Sequence, residues 1–441
     1  MIYSILIFLI FLKLLFFWLW LWQLKEYHIG RFVAHFKEGQ PIKKIISSFW
    51  RLKYPKFTKK IIVISFISIF LAILMLSRGF YGFHGFHFPI FLLIVFIPLI
   101  FQIPTAIWKK RLLEKARKKR EQFPNLLVIG ITGSYAKTSI KEFLYTILSS
   151  KFNVLKTKEH KNSEVGIAQT ILNELTKEHQ VFIVEMGAYN VGGIKLLCDM
   201  VGPKIGVLTG INEQHMATFG SLENIIKTKF ELIESLPKDG IAFFNGQNQY
   251  CVELYQKTKI KKKLYGQGAK TAGLENIEGA KAVAQELGLT EKEIWKACRE
   301  IKEQLPSIKL KRGKNNVDII DATYSANPNG VIAHLDYLKT LIGKKIIIMP
   351  CLIELGSASS EVHQRIGRKI AQTCDWAIIT TKDRFKEIKE GAQEGGMKPE
   401  NILFLEKPEM ISEKIKLFCN PGDVILLEGR VPNNLIQMLV Q

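Results

Sequence analysis

The 441-residue chain is 47% hydrophobic and 23% charged, a balance that excludes a disordered or fibrous protein. Its 62 Lys and Arg against 40 Asp and Glu give a formal net charge of +22, which invites a nucleic-acid reading until the charge is located. Residues 1–120 hold 20 Lys/Arg and 3 Asp/Glu while residues 121–441 hold 42 and 37, so the basicity belongs to an apolar first quarter and no nucleic-acid partner is expected.

Residues 2–22, IYSILIFLIFLKLLFFWLWLW, are apolar apart from Lys13 and long enough to cross ~30 Å of hydrocarbon. They lack the basic leading region and small-residue cleavage site of a signal peptide, so a retained span is expected. Further apolar runs cover 61–77 and 89–108, the latter carrying Pro89, Pro98 and Pro104, which a bilayer tolerates better than water does. Residues 23–60 carry ten Lys/Arg, 109–120 carry eight, and the loop 78–87 carries one. The positive-inside rule then places 23–60 and everything after 108 in the cytoplasm, with the N-terminus and the loop 78–87 outside. The basic runs suit anionic lipid headgroups, and the aromatic residues of 78–87 suit the bilayer interface. His84 and His87 have no partner in the sequence that would make them ligands. The six cysteines, none closer to another than 23 residues, show no zinc or redox spacing and suit a reduced compartment.

From 123 onward short apolar runs alternate with amphipathic stretches. Strands are expected at 126–132, 181–187, 204–210, 317–321, 345–350, 376–380, 401–405 and 423–429, with a helix at 139–151. Such alternation argues an α/β architecture with mostly parallel sheets buried on both faces. Polar and basic residues interrupt the pattern at 302–316, which divides the chain into a membrane region (1–122), a central domain (123–305) and a C-terminal domain (306–441).

After the first strand comes Thr132-Gly133-Ser134-Tyr135-Ala136-Lys137-Thr138, then a helix. A strand, a tight loop and a helix N-terminus present backbone N–H groups to a phosphate. Lys137 would reach the β and γ phosphates, and the Thr138 hydroxyl would ligate Mg²⁺. The usual pattern has Gly before the Lys, and Ala136 replaces it. Glu185, ending the strand 181–187, stands where a P-loop fold carries a Mg²⁺ carboxylate.

These features join KTKEHKNSEVG (156–166), VEMG (184–187), NEQH (212–215) with FGSLENI and KFEL after it, and DATYSANP (321–328). Over 124–441 the combination resembles the Mur ligase family, ATP-dependent enzymes that form amide bonds in peptidoglycan precursor synthesis. The resemblance implies a P-loop central domain and a Rossmann-like C-terminal domain, here preceded by about three transmembrane helices in place of a UDP-sugar-binding domain. It implies ATP and Mg²⁺ as cofactors. Lys137 and Thr138 match the loop Lys and the metal-binding Thr, and Glu185 matches the acidic residue that holds Mg²⁺. His215 matches a ligand of a second Mg²⁺, and Lys229 aligns with a Lys that relatives convert to a metal-binding carbamate. Asn162 lies in a loop that contacts substrate and phosphate. Asn245 and Asn276 lie where relatives contact adenine, although the usual motif around Asn276 reads Gly273-Leu274-Glu275-Asn276-Ile277-Glu278-Gly279. Asp321, Tyr324 and Asn327 belong to the C-terminal face toward nucleotide and incoming amine, and Arg312 matches an Arg near the phosphates.

Two readings follow. One is a membrane-anchored, ATP-dependent ligase that joins an envelope-precursor carboxylate, muropeptide or lipid-linked, to an amino acid or dipeptide. The other is a membrane scaffold that kept the fold and lost turnover, to which Ala136 and the altered adenine motif point.

Overall fold

The computed structural model describes residues 2–25, 27, 32, 53–77, 88–158, 161–269, 273–300, 309–323 and 326–440. It divides into two compact units, Met1–Leu112 and Leu113–Gln441. The first contains the helices Ile2–Leu24, Lys59–Ser77 and Phe88–Ile100. They pack through Phe11, Leu15 and Leu19, Ile61, Ile64 and Ala72, and Ile94 and Ile97. Phe66, Phe70 and Ile62 stay exposed. The stretches Ile5–Leu24, Lys59–Ser77 and Phe91–Glu121 are long and apolar enough to cross a membrane. The third is not one helix. A turn at Phe101 separates Phe88–Ile100 from the helix Gln102–Glu121, and the Thr105 hydroxyl donates to the Phe101 carbonyl at 2.6 Å. Pro104, which lacks an N–H, falls in the first turn of the second helix, where that loss is least costly. The loop 78–87 and most of 23–60 lie outside the described residues.

In the second unit a six-stranded parallel sheet contains β1 (Leu127–Thr132), β2 (Val154–Lys156), β3 (Val181–Glu185), β4 (Ile205–Leu208), β5 (Ile241–Asn245) and β6 (Lys261–Tyr265), in the order β2-β3-β1-β4-β5-β6. A second sheet contains β7 (Lys309–Arg312), β8 (Asp318–Ala322), β9 (Lys345–Met349), β10 (Trp376–Ile379), β11 (Ile402–Phe404) and β12 (Val424–Glu428), in the order β11-β10-β9-β12-β8-β7. Among the described strands, only β7 runs antiparallel to its neighbour. The inner strands are buried along their length, as continuous apolar runs demand. β6 and β7 are edge strands carrying Lys and Arg, a composition that discourages pairing with another chain. β7 lies inside 302–316, so that break in the apolar pattern contains an element of the second sheet as well as its polar approach.

The topology positions a crevice. The chain leaves β1 toward β2 on one side and leaves β3 toward β4 on the other, so the carboxyl ends of adjacent β1 and β3 form a switch point. The phosphate loop follows β1, and Glu185 ends β3.

Candidate active site

The loop after β1 is locked by its neighbours. The Gly133 N–Cα bond sits at φ +154°, and a Cβ there would come within 2.0 Å of Thr209 Oγ1. Ser134 N donates to the Gly210 carbonyl at 2.7 Å, and Asn212 N donates to Ser134 Oγ at 3.2 Å, tying the loop to the exit of β4. Thr132 Oγ1 donates to the Met186 carbonyl at 3.0 Å, tying it to the exit of β3. The Tyr135 ring lies over Gly210, where a Cβ would meet it at 2.3 Å, and its hydroxyl accepts from Asn248 Nδ2 at 3.3 Å. Burial pushes the Tyr135 phenol upward, so it stays protonated. Ala136 adopts φ +61°, ψ 1° and caps the helix Lys137–Leu148. It therefore takes the left-handed conformation that Gly normally supplies, and the loop geometry survives the substitution.

Lys137 Nζ folds back to donate to the Gly133 carbonyl at 2.7 Å. Burial lowers its pKa, against the opposing pull of Glu185. Glu185 is the hub. Its Oε2 accepts from Thr138 Oγ1 at 3.0 Å and lies 3.1 Å from Lys141 Nζ, while Oε1 accepts from Asn162 Nδ2 at 2.9 Å. Burial alone would raise this carboxyl, but the charges of Lys141 and Lys137 and the Asn162 amide outweigh it and hold it below the usual range.

Lys229 stands on the helix Leu222–Glu234, buried, with its ammonium 5.6 Å from the centre of the Phe219 ring. Burial, then the Lys137 charge, push its pKa down to about 7. His215 sits at φ +66° before the short helix Met216–Phe219. Its Nδ1 is 2.6 Å from Glu354 Oε2 of the C-terminal half, and the Tyr189 ring meets it edge-on at 5.0 Å. Burial lowers the imidazole pKa most, Glu354 opposes that, and Lys229 and Lys137 add to it. Lys137, Glu185, His215 and Lys229 therefore act on one another electrostatically, as a single site.

The adenine side is less uniform. Asn245 is buried, donating to the Thr209 carbonyl at 2.8 Å and accepting from Gln247 N at 2.9 Å, so its amide braces β5 against the exit of β4. Asn276 is buried with its Oδ1 unpartnered among the described residues, which leaves an acceptor for a ligand donor. In the C-terminal half Asn327 caps the helix Pro328–Lys339 through Gly330 N at 3.0 Å and accepts from Asn212 Nδ2, in the loop after β4, at 3.3 Å. Asp321 accepts from Lys311 Nζ at 2.7 Å and from Thr323. Burial would raise that carboxyl, but these partners hold it low. Arg312 pairs with Asp318 on the neighbouring strand at 2.6 Å, with both side chains about half exposed. Tyr324 lies outside the described residues.

Sequence reading missed Lys141 and Glu354. Lys141 lies one helical turn beyond Lys137, so the (i, i+4) spacing placed it on the same face. Glu354 was not among the expected site residues, and its partner His215 is 139 residues away. For a metal, Thr138 and Glu185 offer hard oxygen donors 3.0 Å apart, the set Mg²⁺ takes together with nucleotide phosphates. Among the described residues no group of three or more His, Cys, Asp or Glu is placed to hold a metal ion.

The chain matches the Mur ligase middle domain over residues 131–310 and the Mur ligase glutamate ligase domain over residues 308–431. It is 30% identical over 340 residues to a UDP-N-acetylmuramoyl-tripeptide–D-alanyl-D-alanine ligase of Synechocystis sp., covering 70% of this chain and 73% of that one. The ligase of the same name from Bacillus subtilis is 26% identical, covering 68% and 72%. Among solved structures, MurF from Acinetobacter baumannii superposes with a TM-score of 0.67 at 23% identity, covering 75% of this chain and 80% of that one. MurF from Thermotoga maritima in complex with ADP gives 0.65 at 24%, covering 75% and 83%. At these identities the structures establish the shared fold.

Proposed function

The chain belongs to the Mur ligase family of ATP-dependent acid–amino-acid ligases, and from that premise we propose a membrane-anchored, MurF-like ligase of peptidoglycan precursor synthesis. It activates a carboxylate of an envelope precursor, muropeptide or lipid-linked, and joins it to an amino acid or a dipeptide such as D-alanyl-D-alanine. One observation carries the reading: Lys137, Thr138, Glu185, His215 and Lys229 converge at the switch point around a phosphate loop whose geometry Ala136 preserves.

A carboxylate is a poor acylating agent because its leaving group would be oxide. Its oxygen attacks the γ-phosphorus of ATP, the bond from that phosphorus to the β–γ bridging oxygen breaks, and ADP leaves. The resulting acyl phosphate carries a good leaving group. The amine attacks its carbonyl carbon, the tetrahedral oxyanion collapses with loss of phosphate, and the nitrogen gives up a proton. Both steps concentrate negative charge. Lys137 would swing from the Gly133 carbonyl to the phosphates, and the loop N–H groups would hold them in place. Thr138 and Glu185 would hold one Mg²⁺, with His215 and a carbamylated Lys229 serving a second. When bound, Mg²⁺ supplies the charge that offsets the phosphate oxygens. Asn162 keeps Glu185 oriented, and the C-terminal half, joined through Asn212 and Asn327, shields the acyl phosphate from water.

The three apolar stretches would anchor the enzyme, with 23–60 and all that follows 108 on the cytoplasmic side. The test is nucleotide binding by the detergent-solubilised chain, with Lys137→Ala as control. Turnover follows as ADP release on muropeptide and lipid-linked acceptors supplied with D-alanyl-D-alanine. Binding lost in the variant together with acceptor-dependent ADP release supports the ligase. A parent chain that binds no nucleotide until Ala136 is replaced by Gly would overturn it in favour of a scaffold.

A further inference from the structure

The contact between His215 and the C-terminal half is more elaborate than two domains resting together. His215 Nδ1 lies 2.6 Å from Glu354 Oε2, and the Glu354 carbonyl accepts from Ala217 N at 3.1 Å, so one residue grips the 215–217 segment at two points. Beside it Gly356, at φ +55°, packs so closely that a Cβ would stand 3.1 Å from Ala217 N. Ser357 Oγ approaches Met216 Sδ at 3.4 Å. Both ends of the contact are strained, with His215 at φ +66° and Glu354 at φ +64°, neither of them glycine. Non-glycine residues occupy that region only where their surroundings over-determine them, and such residues gather at working sites. Nothing in helix capping requires this geometry at His215, whose side chain caps no helix end.

We propose that Glu354 is a positioning residue for His215, reaching from the C-terminal half to fix the imidazole for a metal in the central half. The proposal rests on the ligase reading above. An ionised carboxylate only accepts, so the 2.6 Å contact assigns the proton to Nδ1 and the lone pair to Nε2, the nitrogen that can then bind a cation. Tyr189, edge-on at 5.0 Å, limits the ring's rotation. A carboxylate behind a metal-binding imidazole raises its basicity and sets its direction. Here that carboxylate belongs to the domain expected to bring the amine. The nitrogen ligand is therefore set only when the two halves meet, and the metal site matures together with the site for the incoming amine.

The test uses the full chain in detergent with Mn²⁺ in place of Mg²⁺, β,γ-methylene-ATP and bicarbonate, read by pulsed EPR for coupling to an imidazole nitrogen. The parent shows the coupling, and His215→Gln, which removes it, assigns it. Glu354→Ala loses the coupling and binds Mn²⁺ roughly 10-fold more weakly, in line with the effect of removing a carboxylate behind a metal ligand. Nucleotide affinity stays at the parent level, which shows that the variant is folded. Glu354→Gln, whose amide oxygen still accepts from Nδ1–H, retains the coupling. Unchanged coupling and Mn²⁺ affinity in Glu354→Ala overturn the proposal and leave the ligase reading standing. A parent that binds nucleotide and Mn²⁺ without nitrogen coupling also overturns it. A parent that binds no nucleotide overturns both.

Discussion

Thr138 Oγ1 donates to Glu185 Oε2 at 3.0 Å across 47 positions of chain, and Lys141 Nζ approaches the same oxygen at 3.1 Å. The helix after the phosphate loop and the end of β3 therefore meet at one buried carboxylate. Lys141 has no exposed side-chain surface, and its second acidic neighbour, Glu142, lies at 3.3 Å. Removing one partner of a buried ion pair strands the other.

Lys141→Met should cost about 3 kcal/mol of stability at neutral pH, measured by urea unfolding. The sign of the pH dependence follows from Glu185, whose carboxyl is held below its ordinary 4.5. Its contribution is present above that value and is lost as pH falls through the depressed folded-state pKa. In Lys141→Met the carboxyl rises, so acidification below about pH 4.5 weakens the variant less than the parent at this position. Equal stabilities and equal acid slopes would show that the pair contributes nothing.

Lys229 poses the opposite case, a buried cation with no ion pair within 4 Å among the described residues. Its pKa falls from 10.5 to about 7 through burial and the Lys137 charge. Between those values the unfolded chain binds the extra proton, so stability rises with pH across the window and the cost is full below about pH 7. Lys229→Met should therefore be more stable than the parent at pH values near 7 and inactive, a separation of stability from function that urea midpoints and ADP release would display together. Carbamylation needs the neutral amine, so bicarbonate should stimulate the parent more above about pH 7 than below it. A variant less stable than the parent at neutral pH would contradict the buried-cation account.

Ala136 holds φ +61° at a cost of ~1 kcal/mol for an L-residue, partly offset by the lower entropy of its unfolded chain relative to Gly. Ala136→Gly should raise stability by roughly 0.5 kcal/mol and leave nucleotide affinity near the parent value. Ala136→Val should destabilise by more than 1 kcal/mol, roughly, because a β-branched side chain tolerates this region worst. Thermal melts with and without ADP would check both.

The strands that carry the phosphate loop and Glu185 were legible because parallel strands buried on both faces read as unbroken apolar runs, as LVIGIT (127–132) and VFIVE (181–185) do, whereas β5 (IAFFN) is as apolar and was not singled out. β6 (KKKLY) and β7 (KLKR) were hidden by their lysines, which at a sheet edge look like a solvated linker. β2 is three residues long, too short to show a period. Within the site, Lys137, Thr138 and Glu185 followed from a local motif. Asn245, expected at adenine, donates to the Thr209 carbonyl and accepts from Gln247 N, partners that no local motif names. Lys141 and Glu354 act through partners far off in the chain, Glu185 and His215, which a local motif does not name.

The membrane reading makes its own forecast. A single cysteine introduced at Gly82, in a background without the six native cysteines, should react with a membrane-impermeant maleimide added to intact cells. One introduced at Lys110 should react only after permeabilisation. The opposite pattern would invert the topology, and labelling of both sites in intact cells would remove the membrane crossing between them.

The two halves of the ligase unit share a second charged contact. Arg365 grips Glu213 through Nη1 at 3.2 Å and Nη2 at 3.4 Å, two residues before His215. The pair is partly exposed, with 37% and 21% of each side chain open, so solvent screening limits its worth to under ~1 kcal/mol of global stability. Its effect on the reaction should exceed that, because the fork pins the 212–217 segment to the domain expected to bring the amine. Arg365→Met should leave the urea midpoint nearly unchanged and ATP affinity intact, yet raise KM for the incoming amine several-fold, roughly the range of a coupling energy of about 1 kcal/mol. Glu213→Gln should do the same, and the double variant should be no worse than either single one if the two act as a pair. Additive losses in the double variant would mean that each residue serves the amine site separately, and an unchanged KM in both would leave the contact with a structural role alone.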